Sequence, residues 1–376
     1  MVKSLPLMKP RKPPLRADQV GSLLRPQRLK DAREQAEAGR ISPQQLREIE
    51  DACIREAVAL QESAGLQGIT DGEFRRAFWH VDFLQGFDGI EWTHGDYAVS
   101  FKGKGGAVAT TSSMLVVNGP VRRSRPIMVD HFRFLASVTT RTPKFCIPSP
   151  TYLHMRGGRS VIDKKAYPDI APFWDDIVAG YRAEIADMKA AGCTYLQLDD
   201  VTFATMCDPG IQAQIRKDGE DPHALVSLYV SIINRIAKDR GDMTITMHTC
   251  RGNASSMWMA EGGYEPVAET LFGQADVDGL FLEFDTERAG GFEPLRFVPK
   301  TQTVVLGLVS SKEPDLESKD LLKRRIDEAA KYVPLENLCL SPQCGFASSH
   351  HGNRVTEDIE KKKLELCVTV AEDVWG

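Results

Sequence analysis

The chain has 376 residues, 42% hydrophobic and 26% charged, with 30 Gly and 21 Pro, a composition that excludes intrinsic disorder, collagen and coiled coil. Its formal net charge of -5, from 47 basic and 52 acidic residues scattered along the sequence, offers no field for a phosphate backbone, so nucleic acid is not expected as a partner. Eight cysteines are too sparse for a disulfide scaffold and should be reduced thiols; with no apolar run of membrane-spanning length and no signal-peptide stretch, a soluble cytoplasmic protein without a membrane partner is expected.

Residues 1–14 read as a flexible, basic, Pro-rich tail and 15–376 as one domain. Residues 15–20 read as a first strand ending in Gly21-Ser22. Ser42-Pro43-Gln44-Gln45 is a helix start with a capping residue, a proline at the first helical position and a Gln that can reach back; Gly65 ends that helix. From there one phrase repeats: a short apolar run, a polar or Gly-containing turn, a helical stretch. The runs are 68–70, 144–147, 194–198, 243–247, 279–284, 303–309 and 338–340, with amphipathic helices over 171–191, 223–238, 317–332 and 356–374. Alternation of this kind predicts a parallel sheet, and with the first strand it predicts an α/β fold built as a single (β/α)8 TIM barrel. A doubly wound open sheet is the competing topology; no strand is followed by its Gly-rich dinucleotide fingerprint. Residues 86–125 break the rhythm, alternating apolar and polar residues around Gly-rich turns, and read as a β-hairpin insertion after strand two: a lid, a homodimer contact or a plain surface hairpin.

The late strands end in chemistry. Strand four ends Gln197-Leu198-Asp199-Asp200, strand five Met247-His248-Thr249-Cys250, strand six Leu282-Glu283-Phe284-Asp285, and strand eight Pro342-Gln343-Cys344-Gly345. With a side-chain period of two, His248 and Cys250 project to one face, about 7 Å apart along the strand. Imidazole, two thiolates and a displaceable carboxylate are a tetrahedral Zn2+ set, which makes His248, Cys250, Glu283 and Cys344 the expected metal ligands. Taken singly, each has an ordinary structural explanation: a buried Cys as a small hydrophobe, a satisfied His, a Glu paired with Lys or Arg. A negative zinc site activates water poorly but lowers the pKa of a substrate thiol enough to present a zinc-bound thiolate as nucleophile.

These motifs, together with Val20-Gly21-Ser22 and Asp71-Gly72-Glu73 after the first two strands, resemble the cobalamin-independent methionine synthase family, in its C-terminal catalytic barrel and its short single-barrel relatives. They span nearly the whole chain. The wider superfamily includes a tetrapyrrole decarboxylase of related fold, whose chemistry does not need this metal quartet. The resemblance implies a zinc-dependent methyltransferase acting on a small thiol, homocysteine, to give methionine. It implies that Val20, Gly21 and Ser22 bind the amino acid's carboxylate end and that Glu73 and Asp199, the catalytic carboxylates, hold its ammonium. A carboxylate pair around an amine gives charge-assisted hydrogen bonds. The structural alternatives are a salt bridge from Glu73 to Arg75 or Arg76 and a strand-end cap for Asp199.

The chain departs from the family on the methyl-donor side. At 376 residues it is expected to lack the extra N-terminal barrel that helps the full-length members bind folate. Val309 stands where the family places a proton-donating His, and Thr205 where it places a folate-contacting acid. His80, His350 or His351 could supply the acid instead, or the donor could be a better leaving system: a methylated corrinoid, a sulfonium or an activated electrophile. Cys207, in the loop after strand four, is a further residue of interest beside ordinary packing. Two other readings stay open: an alkyltransferase of the epoxide:coenzyme M type, whose sulfonate thiol would want Arg, and a zinc-binding barrel without turnover.

Overall fold

A computed structural model describes residues 12–103, 106–253, 255–347, 349 and 352–376. Local chemistry sets the helices. Pro43–Ser63 starts on a capping box, with the Ser42 hydroxyl accepting from Gln45 N at 3.2 Å and Gln45 Oε1 accepting from Ser42 N at 2.9 Å. It buries Cys53, Ile54, Ala57 and Val58 at helical spacing. Further helices follow at Ala171–Ala190, Pro222–Ala237, Lys319–Ala329 and Glu357–Trp375.

The strands are β1 (Gly68–Ile69), β2 (Asp88–Gly103), β3 (Gly106–Arg122), β4 (Thr142–Pro148), β5 (Tyr195–Asp200), β6 (Thr244–Thr249), β7 (Gly279–Glu283), β8 (Thr303–Val309) and β9 (Leu338–Pro342). Seven of them form one sheet in the order β1-β4-β5-β6-β7-β8-β9, every pair parallel. Strands β5 to β9 are buried at every position, as parallel strands covered by helices on one side and by a packed interior on the other must be. The result is an α/β fold, a curled parallel sheet surrounded by helices, consistent with a TIM-like barrel. Among the described residues no helix is long and apolar enough to cross a membrane.

The expected first strand, 15–20, is reduced to a single parallel bridge between Ala17 and Leu340 on β9. Toward β1, side chains replace the ladder: Gln19 Nε2 donates to Gln61 at 2.5 Å and to Thr70 Oγ1 at 3.0 Å, and Thr70 Oγ1 donates to the Gly21 carbonyl at 2.7 Å. Below them a buried ion pair, Lys144 Nζ to Asp18 Oδ1 at 3.1 Å, with Tyr195 OH donating to Asp18 at 2.8 Å, ties this segment to β4 and β5. That anchoring presents Val20, Gly21 and Ser22 at the rim. Breaking a buried pair from one side strands a charge. Lys144→Met is therefore expected to cost about 3–5 kcal/mol of stability, measured by denaturant unfolding, and Lys144→Met with Asp18→Asn much less. Of the expected tail, residues 1–11 lie outside the described residues, and Pro14 is buried.

β2 and β3 pair antiparallel, apart from the main sheet. β2 touches the rim again where Lys102 N donates to the Trp258 carbonyl at 2.7 Å and Trp258 N donates back at 2.9 Å.

Candidate active site

A cavity of about 360 Å³ opens at the C-terminal ends of the strands, lined at one end by Val20, Ser22, Glu73, Asp199, His248, Cys250 and Cys344. The parallel register sets Asp199 beside His248, and the loop after β9 brings Cys344 Sγ to 3.8 Å from Cys250 Sγ. The ligand atoms of His248, Cys250 and Cys344 all lie within 4.8 Å of one another. Among the described residues neither ring nitrogen of His248, a residue only 3% exposed, has a hydrogen-bond partner. Leaving buried polar groups unsatisfied costs roughly 1–3 kcal/mol each, and a cation at this point would satisfy one. The hydrogen-bonding contact with the Cys250 sulfur, with His248 beside it, holds Cys344 well below the usual thiol value despite its burial. The donor set of one imidazole and two sulfurs, one of them already favouring thiolate, suits zinc.

Glu283, the fourth expected ligand, is not in that group. Its Oε2 accepts from Arg251 N at 2.7 Å, its Oε1 accepts from Arg288 Nη2, and Lys312 Nζ lies 3.7 Å from Oε1. Burial alone would raise this carboxyl; the charges of Lys312, Arg288 and Arg251 outweigh burial and hold it down at about 2. It is still near enough for its charge to act on His248 and Cys250.

Next to the sulfur group, Glu73, Cys146 and Asp199 bring their ligand atoms within 4.8 Å of one another. Glu73 sits at φ 58°, a left-handed conformation that costs a residue with a side chain about 1–3 kcal/mol and concentrates at functional sites. Burial, with Asp199 close by, pushes Glu73 up to about 7 even though Arg76 is 3.6 Å away. Burial likewise pushes Asp199 up to about 6, while Gln197 Nε2 donates to its Oδ1 at 2.7 Å and to the Val20 carbonyl at 2.6 Å. Gly21 passes so close that a Cβ would stand 2.7 Å from Cys146 Sγ and 2.8 Å from Glu73 Oε1. Ser22 is clasped from the far side, its carbonyl accepting from Phe346 N at 2.8 Å.

The structural alternatives for these acids divide cleanly. Arg76 does pair with Glu73, whereas Arg75 pairs with Glu50 and Asp51. The strand-end cap is Asp200, accepting from Phe203 N at 3.0 Å and Thr151 Oγ1 at 2.5 Å; Asp199 is left facing the cavity.

The cavity also has an aromatic lining: Phe78, Trp79, His80, Trp92, Phe101 and Tyr152, with Arg156. His80 lies 4.8 Å from the Trp79 ring and 4.2 Å from the Tyr152 ring, and burial, helped by Arg156, keeps it far below the ordinary imidazole value. Val309 is fully buried, and Thr205 Oγ1 donates to the Thr202 carbonyl at 2.9 Å; neither lines the cavity. Cys207 is likewise off the wall, donating to the Phe203 carbonyl at 3.5 Å, its thiol pushed up to about 12 by burial. His350 and His351 lie outside the described residues. Sequence reasoning missed Cys146, Gln197, the three cations around Glu283 and the aromatic wall. Of these, the aromatic run Phe78-Trp79-His80, directly after the Glu73 turn, was the one readable signal.

All eight cysteines are buried and unpaired. Comparison with known proteins gives the chain its relatives. The model of the cobalamin-independent synthase catalytic domain matches residues 16–373. The uncharacterized protein YxjG of Bacillus subtilis (strain 168) is 46% identical over 369 residues, covering 97% of this chain and 96% of that one. A Listeria monocytogenes protein, solved as a candidate vitamin-B12 independent methionine synthase, has a TM-score of 0.79 at 38% identity, over 98% of this chain and 100% of that one. The 5-methyltetrahydropteroyltriglutamate–homocysteine methyltransferase of Saccharophagus degradans is 23% identical over 341 residues, 89% of this chain but 40% of that protein. By its matched residues and its close relatives, this chain belongs to the cobalamin-independent methionine synthase family, in the part that forms the family's catalytic domain.

Proposed function

We propose that the protein transfers a methyl group to the sulfur of homocysteine, giving methionine, with zinc held by His248, Cys250, Cys344 and, as the exchangeable member, Glu283. The observation that carries this reading is a single cavity joining the imidazole with its two orphaned nitrogens and its paired sulfurs to the acidic pair Glu73 and Asp199. Zinc, when bound, lowers the pKa of a coordinated thiol and so supplies a thiolate at neutral pH. The chain's own residues do the rest. Glu73 and Asp199 bind the ammonium and give up their protons to solvent as it arrives, since a cation between them offsets the burial that raises them. Val20, Gly21 and Ser22 receive the carboxylate end. The aromatic wall excludes water from the sulfur while the donor is present. The antiparallel pair β2 and β3 acts in this reading as an insertion that closes the donor side through Trp92 and Phe101.

The donor is a carrier that leaves without strong acid help. His80 is the histidine besides His248 on the described wall, and burial keeps it neutral. Methyltetrahydrofolate is therefore expected to react about 10²- to 10⁴-fold more slowly than a methyl sulfonium or methylcorrinoid, the usual worth of general acid catalysis. Single-turnover rates on both donors check this. Because Val309 lies off the wall, Val309→His alone is not expected to close the gap. Transfer from methyltetrahydrofolate at ordinary enzymatic rates would place a working acid in the site and make His80 the first residue to replace.

The test of the whole reading is zinc-loaded protein with homocysteine and a panel of methyl donors, with methionine read by mass spectrometry. No methionine from any donor, with one zinc per chain, would leave a metal-binding barrel without turnover. Arg156 on the cavity wall favours a second acceptor class, a sulfonate thiol such as coenzyme M, and replacing homocysteine by that thiol in the same assay separates the two.

A further inference from the structure

We infer that Lys312 is a positioning residue that makes Glu283 the ligand that leaves: it completes a cationic cage which competes with the metal for the Glu283 carboxylate. This rests on the metal site proposed above and adds to it a residue outside the quartet.

Three cations surround this carboxylate, and they are not equivalent. Arg251 is committed elsewhere, donating through Nε and Nη2 to the Gly262 carbonyl at 2.9 and 2.6 Å and lying 4.4 Å from the Tyr264 ring. Arg288 is shared with Asp285 at 3.2 Å and lies over the Trp258 ring at 4.7 Å. Lys312 is 4% exposed, stands 3.7 Å from Glu283 Oε1, and among the described residues its Nζ has no hydrogen-bond partner. Its backbone is fixed, since its carbonyl accepts from Ser256 Oγ at 2.8 Å and its N donates to Ser310 Oγ at 3.3 Å. A buried ammonium whose donors are unused is costly to keep, and the carboxylates whose charge it meets, Glu283 at 3.7 Å and also Asp285, offset that cost.

The sulfur ligands have no comparable cage. Cys250 and Cys344 face each other and His248, whereas Glu283 alone of the four contacts Arg251, Arg288 and Lys312, so a thiol entering the metal shell would displace the ligand that has a second place to go. With a metal held by His248, Cys250 and Cys344, such an exchange would conserve ligands and charge: the incoming sulfur would take the place of the carboxylate, the thiol proton would pass to solvent, and the cage would receive Glu283 as an anion.

The test uses the full chain with one equivalent of zinc. Lys312→Met removes the competing charge, so zinc should be held more tightly against a chelator. The homocysteine concentration that half-converts the zinc shell, read by X-ray absorption as a gain of sulfur at the expense of oxygen, should rise about tenfold, in the range of ordinary energetic couplings. Lys312→Gln should shift both measures the same way, and Lys312→Arg, which keeps the charge, should restore them. In a Glu283→Gln background the effect of Lys312→Met on both measures should be greatly reduced, because the carboxylate the cage competes for has lost its charge and only the weaker action of Lys312 on Asp285 and Cys344 is left. A Lys312→Met protein identical to wild type in both measures, or one whose effect persists undiminished beside Glu283→Gln, overturns the proposal while the metal site stands. A wild type that binds no zinc overturns both.

Discussion

Cys344→Ser and Cys250→Ser should each strip the protein of zinc and of thiol-dependent turnover. Both sulfurs stand in the group that includes the orphaned His248, with ligand atoms within 4.8 Å of one another, and a serine hydroxyl is a poor substitute for a thiolate on zinc. Removing one strong ligand from a four-coordinate site should weaken zinc by more than the ~10- to 100-fold typical of losing an outer-shell partner. Elemental analysis after dialysis against a chelator measures it. Cys207→Ser is the control and should keep its zinc, because that thiol is buried off the cavity against the Phe203 carbonyl. Cys344→Ser protein that retained full zinc would remove Cys344 from the ligand set.

Glu73→Gln should lower kcat/KM for homocysteine by about 10²- to 4 × 10³-fold, corresponding to the ~3–5 kcal/mol lost when one side of a buried charge pair is removed. The pH dependence has a definite sign. In the empty site burial raises Glu73 from the ordinary 4.5 to about 7, and only its ionised form attracts an ammonium. Homocysteine binding should therefore weaken as pH falls through 7, and Glu73→Gln should flatten that dependence. The empty protein obeys the opposite trend. Its folded state binds this proton more tightly than the unfolded chain does, so the protein loses stability as pH rises from 4.5 to about 7. Glu73→Gln should remove that loss. A thiol acid without the amine distinguishes lost recognition from a damaged site: it should bind Glu73→Gln at least as well as wild type. If the amine-free thiol loses as much affinity as homocysteine, Glu73 is not the ammonium's partner.

The elements that sequence reading located well are those governed by short-range rules. Ser42 and Gln45 form a capping box wherever the chain goes afterwards, because both partners lie within one turn. Strands β5 to β9 announced themselves as apolar runs of strand length between turns. The first strand did not survive as such, since a strand is defined by its neighbours: Gln19 and Thr70 spend side chains where a ladder would have used backbone. His248 and Cys250 were readable as a pair because a period of two is intrinsic to an extended chain, and Cys344 was readable because it follows the last strand at the same rim.

Alone, then, the sequence determined the alternation of strands and helices, the caps, the residue types at each strand end and the family to which they belong, all properties of neighbours along the chain or of motif order. Tertiary structure decided the rest. It turned Asp199 toward the cavity and made Asp200 the cap. It brought Cys146 from β4 to Glu73 and surrounded Glu283 with Arg251, Arg288 and Lys312. Most of these are contacts between segments far apart in sequence, and their strength depends on burial: the same carboxylates in water would titrate as ordinary acids, whereas here desolvation raises Glu73 toward neutrality and three enclosed cations hold Glu283 ionised.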